Sequence, residues 1–238
     1  MPAVTRRLFC TAAVTATAGG LSGCNRSFSG FPSLGGLFGA SRSSRSGRTI
    51  GRPDYRVAYG PAQGEPYPLP ALSYTRINPA FLRQDVVYLG PEEPGSIVVD
   101  PQARQLFFVQ SEGRATRYGV GVGRAGFGWS GVAQINMKRA WPDWIPPQEM
   151  VAREPAIRSQ LVMTERGLGI PGGPDSPLGA RAMYLFARGG DTGYRIHGTT
   201  EPETIGTRIS SGCIRLINQD IIHLYARATE GTRVIVLA

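Results

Sequence analysis

The stretch His197-Gly198-Thr199-Thr200, then Ser211-Gly212-Cys213-Ile214-Arg215-Leu216, then Asn218-Gln219-Asp220-Ile221-Ile222-His223-Leu224-Tyr225 decides how this chain is read, with the cysteine sixteen residues past the histidine. The chain has only two histidines and three cysteines, so one of each in a single short segment is a chemical signal. A thiol is a strong nucleophile only as thiolate, and a neighbouring imidazole can take its proton and later pass it to a leaving amine. Tyr194-Arg195-Ile196-His197 alternates and is rich in strand formers, which predicts a strand ending at His197. Residues 198–206 read as a loop that returns the chain to Cys213. Gly212 permits a tight turn, and the backbone N–H groups of Gly212 and Cys213 are candidates for an oxyanion hole. Arg215 shares a face with Cys213 on an extended backbone, where it could favour a thiolate or grip a substrate carboxylate. Asn218 reads as a helix N-cap, Asp220 as a first-turn acid, and Ile221, Leu224 and Tyr225 as one buried helical face. His223 lies on that helix and reads as structural.

Working outward, residues 96–100 and 105–109 predict a hairpin, 115–122 a third strand and 132–137 a fourth. Trp141 and Trp144 stand in a proline-rich loop that either plugs the core or flanks a groove. Residues 147–154 predict a short helix, 168–180 a glycine- and proline-rich loop of functional length, and 182–186 and 234–237 further strands. Short consecutive strands with few helices, together with 32 glycines and 19 prolines, predict a mainly β, sandwich-like fold.

The N-terminus reads as an export signal. Thr5-Arg6-Arg7-Leu8-Phe9 resembles a twin-arginine motif, and a short apolar run leads to Leu21-Ser22-Gly23-Cys24, which resembles a bacterial lipobox. That resemblance implies lipidation of Cys24 and a periplasmic domain anchored to a membrane. The predicted organisation is an export signal over 1–23, a flexible Ser/Gly/Arg linker over 24–52, an extended arm over 53–94 and a catalytic domain over 95–238. Cys10 leaves with the signal and Cys24 is lipidated, so Cys213 is the one free thiol of the mature form. Two histidines and one thiol offer no metal-ligand spacing, and no cofactor is expected. The net charge is +9, but seven of the 26 basic residues lie in residues 1–52, which hold no acid. The remainder therefore sets 19 basic against 17 acidic groups, which argues against nucleic acid as a partner of the folded part.

His-Gly-Thr, a loop, and Ser-Gly-Cys-Ile-Arg-Leu-Ile-Asn-Gln-Asp together resemble the active-site signature of the L,D-transpeptidase (YkuD-type) catalytic domain, and the resemblance runs through about residues 80–238. It includes Arg117-Tyr118-Gly119-Val120-Gly121-Val122-Gly123 and Pro171-Gly172-Gly173-Pro174-Asp175-Ser176-Pro177-Leu178-Gly179-Ala180. The resemblance implies Cys213 as nucleophile, His197 as proton donor and acceptor, and Arg215 near the donor substrate. Many members carry a second histidine two residues before the cysteine; here Ser211 stands there, as in one branch of the family, and is assigned to the substrate side. The family's fold implies two mixed sheets with the site at one edge. Its chemistry implies peptidoglycan stem peptides as substrate, release of a terminal D-alanine, and transfer to an amine that forms a 3→3 cross-link or anchors a lipoprotein. Two other readings remain at this point: an L,D-carboxypeptidase with the same Cys/His pair, and a catalytically idle wall-binding lipoprotein.

Overall fold

The computed structural model describes residues 45–123, 129–208 and 212–238. The predicted hairpin forms from β3 (Ile97–Asp100) and β4 (Gln105–Gln110), and β5 (Arg114–Gly119) pairs with β4 in turn. These are the branched and aromatic runs that favour a pleated, half-buried surface. Two strands lie outside the expected domain. β1 (Ser46–Gly51) falls in the stretch read as a flexible linker, and β2 (Gln84–Tyr88) in the stretch read as an arm. β1 pairs antiparallel with β2, and β2 with β5. An outer strand needs ladder hydrogen bonds more than an apolar period, so a Ser/Gly/Arg composition conceals it. Gln84, Val86 and Tyr88 of β2 are buried; Gln84-Asp85-Val86-Val87-Tyr88 carries no polar–apolar alternation, so the strand was not read from the sequence.

The other half is β6 (Gly131–Ala140), β9 (Arg181–Ala187), β10 (Gly190–His197) and the two-residue β11 (Ile214–Arg215). β12 (Arg233–Val236) joins the halves, parallel to β3 and antiparallel to β6. The result is one continuous ten-stranded mixed sheet, ordered β1-β2-β5-β4-β3-β12-β6-β9-β10-β11, where two sheets were expected. It also curls round on itself. Beyond β5 the chain reaches β11, where Gly121 and Arg215 exchange both backbone hydrogen bonds (2.9 and 2.8 Å). The sandwich-like character comes from this curl, which encloses the main apolar cluster. Ile97, Leu106, Tyr118, Ile135, Met183, Leu185, Ile196, Ile214 and Val234 meet there, together with Ile221 and Leu224 of the helix that follows Cys213. A second cluster, with Val86, Val98, Phe107 and Val109, packs elsewhere on the sheet.

Of the three α-helices among the described residues, α1 (Tyr55–Ala58) belongs to the arm, α2 (Gln148–Arg153) lies where proline punctuation placed it, and α3 (Asn218–Tyr225) follows the cysteine segment. A small hairpin of β7 (Val162–Thr164) and β8 (Gly167–Gly169) was not foreseen. Trp141 is buried and donates its indole N–H to Glu65 at 2.7 Å, so it plugs the junction between arm and domain. Among the described residues no helix is long and apolar enough to cross a membrane.

The arm is held by a buried polar cluster. Tyr59 is 1% exposed and packs with Ile77, Leu82, Ile205 and Ile217. Its hydroxyl accepts the Arg83 N–H at 2.7 Å and donates to Asp220 Oδ2 at 3.1 Å. Asp220 is fully buried, its Oδ1 has no hydrogen-bond partner, and the Arg83 guanidinium stands 3.7 Å away. Asp220 is the first-turn acid the sequence predicts, and it is also the anchor point of the arm. Burial pushes its carboxyl up to about 7, against the pull of Arg83 and Tyr59. A carboxyl whose folded value is raised contributes stability below its ordinary range and loses it as pH rises through the folded value. Compared with Asp220→Asn, the wild type should lose up to roughly 4 kcal/mol between pH 4 and pH 8. Urea unfolding of both proteins at the two pH values checks this. A constant difference between them would contradict it.

Candidate active site

The site is built where β10 ends. β10 and β11 run parallel in register, with Ile196 opposite Ile214 and His197 opposite Arg215. The Leu216 N–H donates to the His197 carbonyl at 2.8 Å. Side chains alternate along strands, and Ile196 and Ile214 both enter the core. Arg195, His197 and Arg215 therefore take the opposite face. Cys213 directly precedes β11, level with Arg195, and its sulfur receives a hydrogen bond from the Arg195 main chain. Cys213 is half-buried as a residue. Gly212 makes the turn into this segment at φ +127°, and its Cα stands against the Tyr194 ring, which stacks on Trp129 with centroids 5.3 Å apart. Only glycine adopts that backbone conformation readily.

His197 is 4% exposed. Its Nδ1 lies 2.6 Å from the Gly198 carbonyl oxygen, which can only accept, so Nδ1 carries the proton and Nε2 keeps its lone pair. Burial pulls the imidazole down to about 4, helped by the Arg215 and Arg195 guanidiniums and opposed by the Gly198 and Leu178 carbonyls. Burial likewise pushes the Cys213 thiol up, against the Arg195 hydrogen bond and the same two guanidiniums. Cysteine and histidine thus share their charged neighbours, and both rest uncharged at neutral pH. The arrangement suits proton transfer at the moment of attack rather than a standing thiolate–imidazolium pair.

Arg215 is held by Glu201 of the loop after His197, Nη1 to Oε2 at 3.0 Å. Arg195 makes two 2.7 Å bonds to Asp191 and lies over the Tyr184 ring. Sequence reasoning passed over Arg195 and Glu201, although alternation along β10 already put Arg195 on the face of His197. Asn218 is not the helix cap; Ile217 is. The Asn218 side chain instead accepts the Ala180 N–H and donates to the Thr199 carbonyl, both at 2.9 Å. It braces the 168–180 loop against the segment leaving His197. Gly198 allows this, because a Cβ there would collide with Asn218 Oδ1. His223 is structural as expected, paired with the Tyr118 hydroxyl at 2.7 Å. Ser211 and Cys24 lie outside the described residues, as does the export signal. Among the described residues no cluster of three or more His, Cys, Asp or Glu side chains could hold a metal.

Comparison with known proteins completes the description. The family model of the YkuD L,D-transpeptidase catalytic domain matches residues 94–236. The Escherichia coli K12 protein named "Probable L,D-transpeptidase YcfS" is 34% identical over 149 residues, 60% of this chain and 44% of that one. "Probable L,D-transpeptidase YbiS" of the same organism is 31% identical over 144 residues, 59% of this chain and 43% of that one. The matched part thus spans less than half the length of these relatives. A solved Brucella melitensis structure titled as a probable carnitine operon oxidoreductase caia is 47% identical, covering 69% of this chain and 99% of that one at a TM-score of 0.46.

Proposed function

This chain belongs to the L,D-transpeptidase (YkuD) catalytic-domain family, and from that premise we propose that it performs cysteine acyl transfer on peptidoglycan stem peptides, with Cys213 as nucleophile and His197 as proton carrier. The observation that supports this most is the β10–β11 register, which lays the imidazole's strand end alongside the only thiol of the folded part.

In the first half-reaction the Cys213 thiol gives its proton to His197 Nε2 while sulfur bonds to the carbonyl carbon of the third stem residue. The oxyanion that develops takes hydrogen bonds from the backbone N–H groups at Gly212 and Cys213. The tetrahedral species then expels the amine of the terminal D-alanine, which leaves with the proton held by His197. In the second half-reaction a primary amine attacks the thioester carbonyl, its proton passes through His197 to the departing sulfur, and the thiol is restored. Arg215 supplies a guanidinium on the face of Cys213 for the donor's carboxylate. Water in place of the amine would make the enzyme a carboxypeptidase. The relatives' names speak for transfer.

The test is incubation of the full chain with purified disaccharide-tetrapeptide, followed by mass spectrometry. A dimer short of one alanine is expected. A trimmed monomer alone would overturn transfer, and an unchanged substrate would overturn catalysis.

A further inference from the structure

A cavity of about 640 Å³ lies between the arm and the loop that follows His197. It falls in the size range of sites for small organic ligands, roughly 300–1,000 Å³. One wall is Pro68 to Pro70 of the arm, the floor includes Trp141, and the opposite wall begins at Thr199, two residues past the imidazole. Cys213, Arg215 and the His197 imidazole do not line it, so it is separate from the face that would take the donor and meets the site only through the Thr199–Thr200 backbone that leaves His197.

We propose that this cavity seats the acceptor: an ampholytic peptide whose free primary amine resolves the thioester. The proposal rests on the transpeptidase reading and adds where the second substrate binds. Three observations lead to it. First, the second half-reaction needs an amine that loses its proton to His197, so the acceptor must approach from the imidazole side. The cavity wall is the backbone that leaves the imidazole. Second, the exposed rim carries opposite charges, Arg76 on the arm and Glu203 on the loop. A peptide bearing both a carboxylate and an ammonium group complements such a rim, whereas a neutral glycan would use neither charge. Third, the cavity is preformed, which reduces the ordering cost of binding. Glu65 receives Arg181 Nη1 at 2.8 Å and Nη2 at 2.6 Å, and Gln219 Nε2 donates to the Pro70 carbonyl at 3.0 Å. With the Tyr59–Asp220 bond, these contacts fix the arm in place. The arm wall precedes residue 94, where the match to the family model begins, so the family model does not describe this wall.

The experiment separates the two half-reactions. Ala71→Trp fills the cavity from its exposed arm wall, and Arg76→Glu reverses one rim charge. For the full chain, acyl-enzyme formation is followed by intact-protein mass with a tetrapeptide donor, and transfer is followed with a separate amine-bearing tripeptide, with and without its disaccharide. The expected result is a rate of acylation within about twofold of wild type and an acceptor KM raised by about tenfold or more in both variants, with the sugar-free peptide as good an acceptor as the glycosylated one. Normal acylation with an unchanged acceptor KM would overturn the cavity assignment and leave the transpeptidase reading standing. A strict need for the disaccharide would overturn the peptide as occupant. Failure of the wild type to acylate would overturn the reading beneath it.

Discussion

Cys213→Ala should abolish the acyl-enzyme. In the wild type, incubation with a tetrapeptide donor or a carbapenem adds the mass of the acyl group to the intact protein; in the variant no added mass forms and cross-linking falls by at least about 10⁴-fold. Alanine cannot form the thioester, and no other described side chain is placed to replace the sulfur, because Cys213 is the free cysteine of the folded part. The fold should survive. Only one small atom is removed, and the turn is set by Gly212 and by the Arg215–Gly121 backbone pair, which the change leaves intact. Thermal unfolding should therefore move by no more than the equivalent of about 1 kcal/mol. An adduct that persists in a folded Cys213→Ala protein would put the nucleophile elsewhere.

How much of this was legible in the sequence depended on how far apart the interacting parts lie. Alternation in Tyr194-Arg195-Ile196-His197 is a local property, so the strand, its end and the inward face of Ile196 could be read directly. The β3–β4 hairpin was readable for the same reason. The pairing of Gly121 with Arg215 joins segments ninety-four residues apart in sequence, and no period in either announces the other. Asn218 shows the limit most clearly. Its residue type and position before an apolar helical face fit an N-cap, yet a buried tertiary demand from the Ala180 N–H and the Thr199 carbonyl takes the side chain instead. The Tyr59–Asp220 bond likewise spans one hundred and sixty-one residues, so a tyrosine in an aperiodic arm gave no sign that it holds the first turn of the helix that follows Cys213. The sequence does single out its candidate reactive side chains, because the rarity of histidine and cysteine carries information that pairing does not.

His197→Ala should slow acylation by about 10²- to 10⁴-fold while leaving the protein folded, the range expected for loss of a placed general base. The pH profile distinguishes this role from a merely structural one. In the wild type, kcat/KM reports the free enzyme, in which His197 must be neutral to accept the thiol proton. Its imidazole is pulled down to about 4, so activity should be level from about pH 5 through neutrality and fall only as pH drops toward 4. The thiol is pushed above its ordinary value of 9, so the level region does not depend on a thiolate already present. Removing His197 takes away the group that makes the rate independent of pH. The residual reaction must then use the small fraction of thiolate, which grows about tenfold per pH unit below the thiol's own value. The variant should therefore show a straight rise with pH where the wild type is flat, and the two curves should converge in alkali. An acid limb at or above the ordinary imidazole value in the wild type would instead indicate a thiolate–imidazolium pair. Burial weighs against that pair, since it is the leading cause in both shifts and disfavours imidazolium and thiolate alike, while Arg195 and Arg215 penalise the first and favour the second.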